Sequence, residues 1–272
     1  MRVLLCIVGA YGLLQLLYLL VIEGLRWWDA RHVPPPAGYE VAPMGAANGW
    51  AAVLLHGYGD SPEAWRRQAA WLAARGWHVE VPLLSHEADA QHWRQTTLAA
   101  LARARQRAPH VCLCGHSMGG AVALTAAAER PPDALVLWAP FFEPALGWGL
   151  TRLLYGAHRL LFLWPRVLTF FPAHRRAKGE PTFDYRFQRT LPVRTFRAML
   201  QMPRLATLAR VTCPVTVLLP HRDTVVRTSA TRRALPEATF LMAADPRSGH
   251  ALTNATDWRE NLLATLPSPD LP

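Results

Sequence analysis

Val3 to Ile22 is a run of 20 residues with no charged side chain, in which Gln15 alone is strongly polar. As a helix it would be about 30 Å long, the thickness of a bilayer's hydrocarbon core. A signal peptide would carry a shorter apolar run and a small-residue cleavage site, and neither precedes Glu23-Gly24-Leu25-Arg26. An uncleaved single-pass anchor is therefore favoured over a signal peptide or a buried helix. Trp27 and Trp28 follow at once, as in an interfacial aromatic belt, while Arg2 on one side and Arg26 and Arg31 on the other leave the orientation open.

Beyond the anchor, Val33-Pro34-Pro35-Pro36-Ala37-Gly38 reads as a stiff, extended spacer. Short apolar runs then alternate with longer Ala/Leu/Arg-rich stretches. Ala51–Leu55, His78–Val81, His110–Cys114, Ala134–Trp138, Val215–Leu219 and Thr239–Ala243 read as strands, and one short strand fits near Tyr39–Ala42. Pro62–Arg75, His92–Arg107, Met118–Glu129, Arg227–Leu235 and Thr256–Leu266 read as helices. Strands that are apolar throughout, alternating with helices, predict an α/β fold with a mainly parallel sheet covered on both faces.

The alternation breaks between Phe141 and about Arg210, where no strand–helix unit is legible. Arg152, Arg159 and Arg166 recur every seven residues there, a spacing that would keep them near one side of a helix. The segment reads as a helical cap inserted over the sheet, with ordinary core helices as the alternative. The chain then divides into an anchor (1–31), a proline-rich linker with a possible edge strand (32–50), the first half of a core (51–140), the cap (141–210) and the second half of the core (211–272).

Composition sharpens this picture in one place. The 272 residues are 51% hydrophobic and 18% charged, which excludes a disordered chain. The net charge is +10, and residues 151–210 alone hold 12 Lys and Arg against Glu180 and Asp184, which accounts for all of it. A basic segment near an anchor points to anionic lipid headgroups, since nothing resembles a nucleic-acid module. The 4 cysteines form neither a disulfide framework nor a zinc spacing; Cys112 and Cys114 would share one face of a strand as small buried hydrophobes.

Candidate chemistry lies in "CLCGHSMGGAV", residues 112–122. In a chain of this composition a G-x-S-x-G match is expected by chance about 0.02 times. Here a strand precedes it, Gly115 and Gly119 flank Ser117, and an apolar helix leaves it, as a nucleophile elbow requires. The Met118 N–H, at that helix's start, would serve an oxyanion. A serine needs a base, and the base an acid to orient it. Asp223 in "HRDTVV" and His250 in "SGHALT" follow in the required order, each after a predicted strand. Asp245 is a second choice of acid, while His116 is expected to pack and His221 sits too near Asp223 in sequence to receive it. In "LLHGYG" the Tyr58 N–H is the second candidate oxyanion donor, with Gly57 and Gly59 allowing close backbone approach.

Over residues 51–266 the chain resembles the α/β-hydrolase superfamily, and within it the serine esterases and monoacylglycerol-lipase-like carboxylesterases; "LLHGYG", "GHSMGG", "HRDTVV" and "SGH" carry the likeness. The resemblance implies ester hydrolysis by Ser117, His250 and Asp223, with Tyr58 and Met118 at the oxyanion and neither cofactor nor metal. It leaves open acyl transfer, thioester hydrolysis and cofactor-free haloperoxidase chemistry, which share this fold, and a non-catalytic membrane-tethered scaffold. A lipid-like ester, a monoacylglycerol or lysolipid, is the expected substrate. Two departures stand out: only one short strand fits between the proline linker and Ala51, where relatives often carry several, and Leu84-Ser85-His86-Glu87 stands where many relatives carry a Gly-His-Gly turn.

Overall fold

The computed structural model describes residues 2–32, 35–161, 163, 166–168, 190–208 and 210–267. Helix α1 (Arg2–His32) leads into a seven-stranded sheet of β1 (Tyr39–Val41), β2 (Trp50–Leu55), β3 (His78–Val81), β4 (His110–His116), β5 (Ala134–Trp138), β8 (Val215–Leu219) and β9 (Thr239–Met242). The spatial order is β1-β3-β2-β4-β5-β8-β9. All pairings are parallel except β1 with β3, so the one short strand ahead of β2 is an antiparallel edge. The expected strands form within a residue or two of their predicted bounds, and the architecture is the α/β-hydrolase fold.

Both sheet faces are covered, which is why the central strands read as unbroken apolar runs. Ala51, Val53 and Leu55 of β2 point to one side, into a core shared with α3 (Ala90–Arg107), α4 (Met118–Glu129), α6 (Val193–Leu208) and α7 (Thr228–Ala234). Trp50, Ala52 and Leu54 point to the other, where α2 (Arg66–Ala73) and α8 (Trp258–Thr265) pack. Cys112 and Cys114 share that second face as free, buried thiols. The predicted helix at Pro62–Arg75 starts as a 3-10 turn over Pro62–Trp65 and becomes α-helical only at Arg66.

The segment between β5 and β8 carries two helices, as expected, and departs from its expectation in one respect. Helix α5 (Gly147–Leu161) is followed by a two-stranded antiparallel ribbon, β6 (Arg166–Leu168) with β7 (Thr190–Pro192), which runs directly into α6. The heptad of arginines therefore does not lie on one helix: α5 ends before Arg166, which sits in β6. Helix α6 buries Ala198, Met199, Met202 and Ala206 among α3 and α4. Arg175, Arg176, Lys178, Arg186 and Arg189, much of the basic stretch, lie outside the described residues.

Helix α1 is long and apolar enough to cross a membrane over Cys6–His32. Ile7, Val8, Leu13, Leu16, Leu17 and Leu20 are exposed on it. One face turns inward: Ile22 is fully buried, the Gln15 side-chain oxygen accepts the Leu163 N–H at 3.0 Å, and the Tyr18 hydroxyl donates to the Arg166 carbonyl at 3.2 Å. These positions recur at i, i+3 and i+7, one stripe of a helix.

Candidate active site

Strand β4 delivers Ser117 into a backbone conformation, φ 54° and ψ −117°, that a residue with a side chain rarely adopts. Such a position costs about 1–3 kcal/mol and persists only where its surroundings enforce it. Here the Ser117 N–H donates to the Trp138 carbonyl at 2.9 Å, and the Ser117 carbonyl accepts from Gly120 and Phe141 at 3.0 Å each. The flanking glycines are required by contact: a Cβ on Gly119 would lie 2.5 Å from the Leu55 carbonyl oxygen, and one on Gly115 would strike the Gly119 carbonyl. Helix α4 can thus pass close over β2 and β4, with its first N–H groups, Met118 leading, at Ser117.

The loops after β8 and β9 bring two distant residues to this turn. His250 Nε2 lies 2.9 Å from Ser117 Oγ, and His250 Nδ1 lies 2.9 Å from Asp223 Oδ2. The other carboxylate oxygen, Oδ1, accepts the Val225 and Val226 N–H groups at 2.8 Å each. Burial alone would raise the Asp223 pKa, but the neighbouring His250 and these donors outweigh it and hold the carboxyl below its ordinary value. An ionised carboxylate on Nδ1 favours the tautomer with the proton there, which leaves Nε2 bare toward the serine hydroxyl. All three side chains are buried.

Asp245 is elsewhere, paired with Arg247 and accepting its amide, so it does not reach His250. His221 Nε2 lies 3.0 Å from the Ala243 carbonyl, away from the site. His116 is buried, and its Nε2 donates to the His250 carbonyl at 2.8 Å, bracing the histidine loop. Burial, with His250 alongside, holds the His116 pKa at about 3, so the brace is uncharged. Sequence reasoning gave His116 a packing role but had no signal for this partner.

The turn after β2 lies against the elbow, since a Cβ on Gly57 would be 3.4 Å from Ser117 Cβ. Gly59 closes that turn at φ 78°. Tyr58 follows Gly57 and lines the same cavity as Ser117 and His250, a space of about 280 Å³. Phe141, Leu146, Phe196, Met199, Leu200 and Val225 make its apolar walls; Asp60, Thr253 and Asn254 add a polar corner. Among the described residues no group of three His, Cys, Asp or Glu side chains is placed to hold a metal. A hydrogen-bonded acid, imidazole and hydroxyl beside the amides at a helix start can deprotonate the hydroxyl and stabilise an anion formed on an adjoining carbonyl.

A hydrolase-type α/β sheet with a serine elbow defines the class. The sequence model of the alpha/beta hydrolase family matches residues 52–262, and the chain belongs to that family. Solved structures agree on the fold. A structure of the metagenome-derived lipolytic enzymes LipS and LipT superposes with a TM-score of 0.70 at 18% identity, covering 85% of this chain and 96% of that one. The monoacylglycerol lipase of Paleococcus ferrophilus gives 0.65 at 15% identity, covering 84% and 95%. A soluble variant of monoglyceride lipase from Saccharomyces cerevisiae, bound to a substrate analog, gives 0.65 at 13%, covering 83% and 87%. Comparison with curated protein sequences returns no match.

Proposed function

We propose that the protein is a membrane-anchored serine hydrolase that cleaves carboxylic esters of lipid-like substrates, such as a monoacylglycerol or lysolipid. The observation that carries this reading is the hydrogen-bonded series Asp223, His250, Ser117 on a strained elbow at an apolar cavity. Ser117 Oγ attacks the ester carbonyl carbon while His250 Nε2 takes the hydroxyl proton, and the carbonyl π electrons move onto oxygen. The Tyr58 and Met118 N–H groups receive that oxyanion. The C–O bond to the alcohol breaks as His250 returns the proton to the departing oxygen, leaving an acyl-serine. Water, deprotonated by His250, attacks the acyl carbon, and collapse releases the acid and restores the Ser117 hydroxyl.

A lipid-like substrate is supported by three apolar features. They are the cavity walls, the exposed face of α1, and Leu150, Leu153 and Leu154, which are exposed together along α5. Leu146, just before α5, is exposed and also lines the cavity. The monoacylglycerol and monoglyceride lipases among the solved structures of like fold point the same way. Labelling by a fluorophosphonate probe tests the chemistry. The wild-type protein should label, and Ser117→Ala and His250→Ala should not; an unlabelled wild type refutes the mechanism.

A further inference from the structure

Leu84-Ser85-His86-Glu87, the departure from the usual Gly-His-Gly turn, lies behind the turn that carries Tyr58. His86 is 2% exposed, and its ring packs 5.7 Å from those of both His56 and Tyr58. Its Nε2 accepts the Gly59 N–H at 2.8 Å, so this nitrogen is bare and the ring's proton sits on Nδ1. Burial, reinforced by His56, holds the His86 pKa well below an ordinary imidazole's, consistent with a permanent acceptor. A reciprocal tie runs alongside: His56 Nε2 accepts the Leu84 N–H at 3.0 Å, and His56 Nδ1 donates to the Gly57 carbonyl at 2.9 Å. Two neutral imidazoles thus join the 56–59 turn to the 84–86 segment.

That segment is itself held from the far side. The Thr195 hydroxyl donates to the His86 carbonyl. Arg194 donates to the Glu87 carbonyl at 3.0 Å and to its carboxylate at 3.1 Å, and Arg166 of β6 donates to the same carboxylate at 2.9 Å. Burial would raise the Glu87 pKa, but the two guanidiniums outweigh it and hold the carboxyl below its ordinary value. The Arg166 carbonyl accepts the Tyr18 hydroxyl of α1.

We propose that His86 is a positioning residue that sets the turn presenting the Tyr58 N–H to the oxyanion, and that the Glu87 clamp to Arg166 and Arg194 fixes His86 in place. His86 does not line the cavity and touches no reacting atom, so its effect falls on the transition state and not on substrate binding. The inference rests on the serine-hydrolase reading above and adds to it a determinant of the rate.

The test compares full-length wild type with His86→Leu, which removes the acceptor, and His86→Gln, whose side-chain oxygen can accept the Gly59 N–H. Removal of one oxyanion donor costs about 100-fold to 1000-fold in kcat, and a displaced donor retains part of its effect. His86→Leu is therefore expected to lower kcat on a p-nitrophenyl ester about 10-fold to 100-fold with KM changed less than about twofold. Affinity for a trifluoromethyl ketone, which forms a stable oxyanion adduct on the serine, should fall by the same factor. His86→Gln should recover most of both, and Glu87→Gln should show a smaller loss of both. Should His86→Leu not fold, His86→Asn, whose shorter amide falls short of Gly59, takes its place with the same expectations.

A kcat within twofold of wild type overturns the proposal, as does a kcat loss with unchanged ketone affinity or no recovery in His86→Gln. A wild type that is folded but neither labels with fluorophosphonate nor turns over ester overturns the hydrolase reading itself.

Discussion

Acidification should destabilise this protein through its buried histidines. His56 has both ring nitrogens in hydrogen bonds inside the protein, and burial holds its pKa at about 4; His116 is held at about 3 by burial beside His250. In the unfolded chain both return to about 6.5. An imidazole whose folded pKa lies below its unfolded value binds its proton more readily when unfolded. Its contribution is therefore complete above pH 6.5 and is lost as pH falls from there toward the folded value. Between pH 7 and pH 5 each of the two should cost about 2 kcal/mol, together about 4 kcal/mol of a total stability of roughly 5–15 kcal/mol. Asp223 and Glu87 do not offset this loss, because their lowered pKa values keep them ionised at pH 5 in the folded protein. Urea unfolding of the full chain in mild detergent, followed by tryptophan fluorescence at pH 7 and pH 5, measures the difference. His116→Gln should unfold with a pH dependence smaller by about 2 kcal/mol over that interval, whatever its stability at pH 7. A variant whose pH dependence matches wild type to within about 0.5 kcal/mol would refute the assignment of His116 as neutral and buried.

Gly119→Ala should be destabilised by about 1–3 kcal/mol and lose most of its ester turnover, because the new methyl meets the Leu55 and His56 carbonyl oxygens at 2.5 and 2.6 Å. Thermal unfolding and a p-nitrophenyl ester assay check it, and a fully active variant would mean that α4 is not held that close to β2. Replacing Leu150, Leu153 and Leu154 together by Ser should leave turnover of a short soluble ester unchanged while lowering turnover of long-chain esters presented in anionic vesicles severalfold. Equal rates on vesicles would count against α5 as part of a lipid-facing surface.

Much of the architecture was legible because burial on both faces writes itself into a strand as an unbroken apolar run. Residues 50–55 are such a run, and so are 134–138. The candidate site was legible for a related reason: an elbow needs glycines where carbonyls crowd the backbone, and Gly115, Ser117 and Gly119 meet that need within five residues. Ser117, Asp223 and His250 can meet because β4, β8 and β9 run the same way and leave their following loops at one edge of the sheet.

The sequence by itself thus determined the strand–helix alternation, the strained serine and the two loops that could serve it. Only the tertiary structure decided which side chains meet across those loops. It set Asp223 apart from Asp245, made His116 a brace, took Arg166 out of a helix and into a strand, and seated Gln15, Tyr18 and Ile22 of α1 inward. It also put His86 behind the Tyr58 turn. Hydrophobic periodicity reports how deeply a residue is buried within its own element. The partner of a buried polar group depends on which remote segments the sheet brings side by side, and no local pattern encodes that.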